Sequence, residues 1–305
     1  MATVLIAGGT GLIGMHLSEL LARHDHRVIH LSRETDLSAR FPAYHWDIEQ
    51  QTISEEAIRM ADYVINLAGA GIADKRWSAE RKKVIIDSRV DGTQLLREAF
   101  ARYNHRPKAY LAASAIGYYG DRGEEYLTEQ ARPGNGFLSE STILWERAIA
   151  DVAAMGIRTV VVRTGIVLSP EGGALEKMLQ PTQFFGSPYF GDGQQWYSWI
   201  HIDDIADIYR TALEDDSYEG VYNAVAPHPA RNKDLAEAIK QATEKPLLVM
   251  PVPTFALKLA LGEMTHTILD STKVSAHKIR EAGYTFQHPK LLPALQDLLS
   301  EENAG

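Results

Sequence analysis

No cysteine occurs among the 305 residues, and that absence removes disulfides, thiolate nucleophiles and cysteine-ligated zinc or iron–sulfur centres together. It fits a reducing compartment, so a cytoplasmic location is expected. No stretch approaches the roughly eighteen consecutive apolar residues that a membrane-crossing helix requires. Met1 runs straight into Val4, Leu5 and Ile6 without a basic leader segment, so neither a secretion signal nor a membrane span is expected. Positive charge is short as well: 31 Lys and Arg stand against 40 Asp and Glu, a formal charge of −9. A surface that neutralises phosphates needs a basic face, and nucleic acid is not an expected partner. The eleven histidines are scattered. His24 and His26 flank Asp25, but two histidines at that spacing make a poor metal site on their own, and no metal is expected.

What is present is an ordinary core-forming composition, 45% hydrophobic and 23% charged. The length suits two domains, or one large α/β domain with an appendage. Apolar strands are predicted at "TVLIA", "RVIHLS", "DYVINLA" (62–68), "KAYLAAS" (108–114) and "RTVVVRTGIVL" (158–168). Amphipathic helices separate them at 11–24, 79–102 and 137–154, with apolar residues recurring on one face. Nearly continuous apolar strands alternating with helices imply a parallel sheet covered on both faces. From about residue 170 the texture turns to Gly, Pro and aromatic residues, then to helices joined by "APHPA" and "VMPVP". The predicted fold class is therefore α/β, a doubly wound parallel sheet of Rossmann type with a smaller, mixed, mostly helical C-terminal lobe. Residues 1–168 form the dinucleotide-binding domain, a strand and helix around 200–225 return to it, and 169–305 form the substrate lobe.

The run "LIAGGTGLIG" (5–14) places four glycines where a strand gives way to a helix. Gly8, Gly11 and Gly14 form G-x-x-G-x-x-G: a tight turn, an opening for a pyrophosphate, and a close helix–strand contact. The free N–H groups of the helix start then attract the phosphates. The second strand ends Leu31-Ser32-Arg33. A hydroxyl and a guanidinium suit a ribose 2′-phosphate, whereas an acidic residue would suit the bare 2′-hydroxyl. NADP(H) is thus expected in preference to NAD(H). The other reading leaves Arg33 a solvated loop charge and gives the ribose to Glu34.

Further segments follow in order: "WDI" (46–48), "NLAG" (66–69), "RVDGT" (89–93), "AASAIGYYG" (112–120), Arg163 with "TGIVL", and "GDGQQWYSWIHIDD" (191–204). Over nearly the whole chain these resemble the extended or atypical short-chain dehydrogenase/reductases, similar to nucleotide-sugar epimerases and dehydratases. "SWIHIDD", "NAVAP" and "LGEM" resemble an uncharacterised branch with a C-terminal domain of unknown function. The resemblance implies cofactor contacts from Gly8, Thr10, Gly11, Leu12, Ile13 and Gly14, from Asp47 near the adenine, and from Leu67, Ala68 and Gly69 along the ribose. It implies a further contact from Arg163 near the nicotinamide. It puts the active-site serine at Ser114 and a Tyr-Gly at Tyr119-Gly120. It also allows a homodimer through the helices 79–102 and 137–154.

Several departures bear on chemistry. Short-chain dehydrogenases use Tyr-x-x-x-Lys on the helix after the serine strand, the lysine lowering a phenol of ordinary pKa about 10. Those positions here are Leu138 and Thr142, and no tyrosine or lysine occurs in "GFLSESTILWERAIADV". Arg89 replaces the family's asparagine. Tyr197 and Ser198 replace an Arg-Asp pair whose arginine binds phosphate, which argues against a nucleotide-sugar substrate. The remaining catalytic candidates are Ser114, to orient a carbonyl, and Tyr118 or Tyr119, to deliver a proton. Glu140 and Glu146 lie six apart on one helix, hence on different faces, and make no carboxylate pair. His201 is read as a hinge residue, with Asp203 capping the next helix. The basic stretch "ADKRWSAERKK" (73–83) is either a solvated helix start or a contact for an acidic substrate group. Three functions compete: an NADP(H)-dependent oxidoreductase acting on a small carbonyl or hydroxyl compound, an epimerase or dehydratase that returns the hydride to the same substrate, and a non-enzymatic NADPH-binding redox sensor.

Overall fold

Alternating residues of the first strand leave for opposite sides of a sheet. Val4 and Ile6 join the core on one face, Leu5 and Ala7 the core on the other, as the two-residue period of a strand requires. In the computed structural model, which describes residues 1–300, β1 (Thr3–Ala7) is the middle of an eight-stranded sheet. β2 (Arg27–Ser32), β3 (Ala43–Asp47) and β4 (Thr52–Ile53) extend it on one side. β5 (Tyr63–Asn66), β6 (Ala109–Ala115), the strand Arg158–Thr164 and the strand Gly220–Ala224 extend it on the other. Every pairing is parallel except that of β3 with β4.

Helix α1 (Leu12–Arg23) lies on the first face. After the short α2 (Glu55–Met60), the long α3 (Ala79–Arg102) and α4 (Phe137–Ala153) pack together on the second. Leu95, Leu96 and Phe100 of α3 and Trp145, Ile149 and Val152 of α4 share that core with Tyr110 and Ala112 of β6. Each buried aliphatic side chain there contributes roughly 1.5–3 kcal/mol. Farther along come α5 (Gly173–Leu179), α6 (Ile202–Glu214), α7 (Asn232–Ala242) and α8 (Thr254–Leu261). α6 returns to pack on α1, with Ile202, Ile205 and Tyr209 in the first core. Among the described residues no helix is long and apolar enough to cross a membrane.

The predicted strand 158–168 is two strands. It breaks at Gly165, where a Cβ would stand 2.4 Å from the Ser198 carbonyl oxygen. Past that crossing, Ile166–Leu168 pairs with Trp199–His201 instead of continuing in the main sheet. The C-terminal segment carries its own parallel pair, Gly186–Phe190 with Leu248–Val252, against which α7 packs.

Candidate functional site

All the strand ends with chemical content reach one edge of the sheet, and β1 and β5 part there in opposite directions. Gly8 turns the chain with φ +79°, and a Cβ on it would stand 2.9 Å from the Ala68 nitrogen. Gly14 is tighter, since its Cβ would meet the Gly8 carbonyl oxygen at 2.2 Å. Gly11 caps α1 without a side-chain bond, and no acidic residue occupies the first turn. The helix start beyond Thr10, at Leu12 and Ile13, therefore offers bare N–H groups and positive potential. This cradle of close backbone with no Cβ fits a dinucleotide pyrophosphate. His30, which the sequence did not single out, forms its floor: a Cβ on Gly9 would lie 2.3 Å from the imidazole. The ring is buried, 2.8 Å from the Ser18 hydroxyl, which itself donates to the Gly14 carbonyl at 2.7 Å. Burial pulls its pKa down to about 4.

Leu67, Ala68 and Gly69 leave β5 beside this loop. Buried Asn66 sets their path, accepting from the Ala68 N–H at 3.2 Å and donating to the Tyr110 hydroxyl at 2.9 Å. At the end of β2, Ser32 is half-buried and accepts from the Glu34 N–H at 3.2 Å. Arg33 is exposed, and no described residue answers its guanidinium. Asp47, ending β3, accepts from the Gln50 N–H at 2.9 Å and so closes a turn.

Ser114 lies at the end of β6 and donates to Glu146 Oε1 at 2.6 Å. Arg163, on the neighbouring strand, clamps the same carboxylate through Nε at 2.8 Å and Nη2 at 2.7 Å. Arg163 is buried. Burial works against its charge, but Glu146 and the Tyr119 hydroxyl hold its pKa above the ordinary value. Tyr118 is half-buried, with the Arg163 guanidinium 3.5 Å from its ring centre. Tyr119 is fully buried, donates to Asn223 at 2.7 Å and accepts from Arg163 at 3.0 Å. The two tyrosines thus have different surroundings: the phenol of Tyr119 is engaged on both sides, while no described residue bonds that of Tyr118. Leu138 and Thr142 lie beside Gly117, 3.4 and 3.7 Å from the position of a Cβ there. The places of the family's Tyr and Lys therefore do border the loop after Ser114, with neither residue in them.

A cavity of about 580 Å³ adjoins this loop, lined by Trp77, Lys82, Arg132, Phe137, Leu138 and His266 among others. Its size suits a small organic molecule. Gly134, on its wall, donates its N–H to the Tyr118 carbonyl at 3.0 Å. Of the basic stretch 73–83, Lys82 turns to this cavity and pairs with Glu263, while Lys75, Arg76 and Lys83 are exposed.

His201, not Asp203, caps α6: its Nδ1 accepts the Asp203 N–H at 3.1 Å. Short polar residues are the usual caps, so the sequence pointed to the aspartate, which instead bonds His16 at 2.6 Å. His201 also stacks on His288 at 3.7 Å, and ligating atoms of His201, Asp203, His288 and Asp297 lie within 4.8 Å of one another. With Nδ1 accepting, the neutral His201 ring carries its proton on Nε2, 3.3 Å from Asp297. With its Nδ1 taken by the cap and its proton on Nε2, the neutral ring offers no free lone pair, so the group suits a hydrogen-bonded and stacked cluster rather than a chelate. His26 pairs with Glu214 at 3.1 Å, apart from this group.

Comparison with known proteins agrees with this fold. The model of the NAD dependent epimerase/dehydratase family matches residues 4–224, and that of a domain of unknown function (DUF1731) matches 252–298. An epimerase family protein of Staphylococcus aureus (strain MRSA252) is 36% identical over 302 residues, 99% of this chain and 100% of its own. One from Staphylococcus saprophyticus is 36% identical over 301 residues, 98% of this chain and 100% of its own. Among solved structures, human epimerase family protein SDR39U1 (isoform 2) with NADPH superposes with a TM-score of 0.87 at 33% identity, covering 97% of this chain and 98% of its own. A UDP-N-acetylglucosamine 4-epimerase from Bacillus cereus, 16% identical with a TM-score of 0.77 over 98% of this chain and 95% of its own, shares the fold.

Proposed function

The chain belongs to the NAD-dependent epimerase/dehydratase family, and from that premise we propose that it binds NADP(H) and carries out hydride transfer to or from a small carbonyl or hydroxyl compound. The observation that carries the cofactor choice is the Ser32–Arg33 pair at the end of β2. The guanidinium is exposed and unanswered by any described residue, beside a glycine loop fit for a pyrophosphate. A human relative, 33% identical and matched over 98% of its chain, was solved with NADPH, which supports the same choice. Gly8 to Gly14 would hold the pyrophosphate, Ser32 and Arg33 the 2′-phosphate, Asp47 the adenosine end, and Leu67 to Gly69 the ribose.

When bound, the nicotinamide supplies the hydride chemistry; the protein supplies orientation and proton handling. Glu146, held by both bonds from Arg163, fixes the Ser114 hydroxyl at the end of β6, from where its proton would turn to the substrate oxygen. Tyr118, on the same loop, is the proton donor in this reading, and Arg163 fixes its ring. Arg163 then acts through Glu146 and Tyr118 rather than on the cofactor. The missing Tyr/Lys dyad favours a second reading, a non-enzymatic NADPH-binding redox sensor.

Titration with NADPH and NADH tests the cofactor assignment: NADPH should bind tighter by tenfold or more, and Arg33→Ala should abolish the difference, as loss of about 1.4 kcal/mol or more of charge-assisted bonding would. Equal affinities in the unaltered protein overturn it. NADPH oxidation against a panel of small aldehydes and ketones tests the reaction. Ser114→Ala and Tyr118→Phe should slow turnover about 10²–10⁴-fold with cofactor affinity intact. Isotope exchange without net oxidation selects the epimerase form, and inertness with tight NADPH binding selects the sensor.

A further inference from the structure

Beside the strand end of β5 lie two arginines on neighbouring carbonyls. Arg81 donates to the Gly71 carbonyl, and Arg89 donates from Nη1 to the Ala70 carbonyl at 3.0 Å and to Ile85 of its own helix at 3.0 Å. Arg89 lies so close to the loop that a Cβ on Gly69 would stand 2.8 Å from its Cζ. No carboxylate among the described residues pairs with it, and neither its Nε nor its Nη2 has an acceptor there. Arg81 has only the mostly exposed Asp74, at 3.3 Å, and its own Nε is buried without a partner. The indole of Trp145, centred 5.1 Å from the Arg89 Cζ, is 5% exposed and its Nε1–H is unpartnered as well.

We propose that Arg89, backed by Arg81, seats an acidic group of the substrate, a carboxylate or a phosphate, at the end of β5. Burial and the charge of Arg81 together pull the Arg89 pKa down to about 10, and while Arg81 has Asp74 beside it at 3.3 Å, Arg89 carries its charge with no carboxylate of the described residues paired to it. Loop clamping alone does not account for this: carbonyls need a donor, not a second partly buried cation, and a charge drawn away from water without a counter-charge is costly. An anion meeting the free edge of Arg89 would answer its guanidinium with charge-assisted bonds and offset the repulsion from Arg81. The resemblance puts an uncharged asparagine at position 89, so the seat belongs to this chain's own chemistry. The inference deepens the reading given above and rests on it: with NADP(H) along the strand ends, a group held beside Gly69, just past the end of β5, stands at the strand next to β6, which ends at Ser114 and Ala115.

The indole Nε1–H resonance of Trp145, assigned with Trp145→Phe, reports the site without requiring turnover. Inorganic phosphate and acetate are titrated separately into the NADPH-loaded protein, and the tighter of the two identifies the kind of acidic group. Saturable shifts with millimolar dissociation constants are expected, lost about tenfold or more in Arg89→Gln, which keeps a donor for the loop, and retained in Arg89→Lys, which keeps the charge. The absence of a saturable shift with both anions, or equal shifts in Arg89→Gln, overturns the proposal. So does a tenfold loss of NADPH affinity in Arg89→Gln with anions ignored by the loaded protein, since Arg89 would then serve the cofactor. Should NADPH fail to bind at all, the cofactor assignment falls, and the same titrations on the cofactor-free protein still decide the anion seat.

Discussion

At Gly14 the requirement is for space: no Cβ fits 2.2 Å from a carbonyl oxygen. Gly14→Ala should push α1 off β1, costing about 1–3 kcal/mol as overpacking does, and lower NADPH affinity by tenfold or more; a denaturant series and a cofactor titration measure the two. Such glycines are legible in a sequence because no other residue would serve. His30 is not, since one histidine in an apolar strand looks like any core residue until the loop is seen resting on it. Its folded pKa of about 4 lies below the ordinary 6.5, so the unfolded chain binds the proton first. Stability is therefore full above about pH 6.5 and falls as the pH drops toward 4, by up to about 3 kcal/mol from this residue. His30→Gln, which keeps a donor toward Ser18, should flatten the acid limb of the stability–pH curve, measured by urea midpoints between pH 4 and 7. An unchanged slope would assign the acid loss to other groups.

The elements of the first half announced themselves because each carries its period in its own residues, as in "TVLIA" or in the apolar face of α4. β3, with only Ala43, Tyr44 and Trp46 buried, is too short to show a period, and the pair Gly186–Phe190 with Leu248–Val252 is made by partners some sixty residues apart. The break at Gly165 likewise depends on a distant segment, since it is Ser198 that leaves no room for a side chain. The start of α6 combines both effects. His201 is 1% exposed, and burial, reinforced by His288, holds its pKa well below the ordinary value; a neutral ring is what a cap accepting the Asp203 N–H needs. His201→Ala should cost about 3 kcal/mol or more through loss of a buried ring. His201→Asn should cost about 1 kcal/mol less, because asparagine restores the cap. Equal losses in thermal unfolding would show that packing against His288, and not capping, sets the position.

Across the whole molecule, the candidate site was half legible. The missing dyad in α4 could be read directly, but the link from Ser114 through Glu146 to Arg163 joins three separate elements, and no local pattern announces it. The same holds for the polar side chains that tie the C-terminal segment to the rest of the described chain. Asp204 accepts from the N–H groups of Gln287 and His288, and Asn223 donates to the Ser275 carbonyl. Ser198, fully buried, donates to the Thr272 carbonyl at 2.8 Å and accepts from the Val274 N–H at 2.8 Å. Ser198→Ala strands both backbone groups, at about 1–3 kcal/mol for buried partners left unpaired. Because these ties are buried within the core that α1 and α6 share, the whole described chain should still unfold in one transition, shifted down by several degrees. NADPH at about 100 times its dissociation constant should return roughly 2.7 kcal/mol and bring the midpoint back toward that of the unaltered protein. Two separated transitions in Ser198→Ala, with only the upper one responding to NADPH, would show instead that the C-terminal segment docks as an independent unit and that the cleft between it and the sheet can open without unfolding.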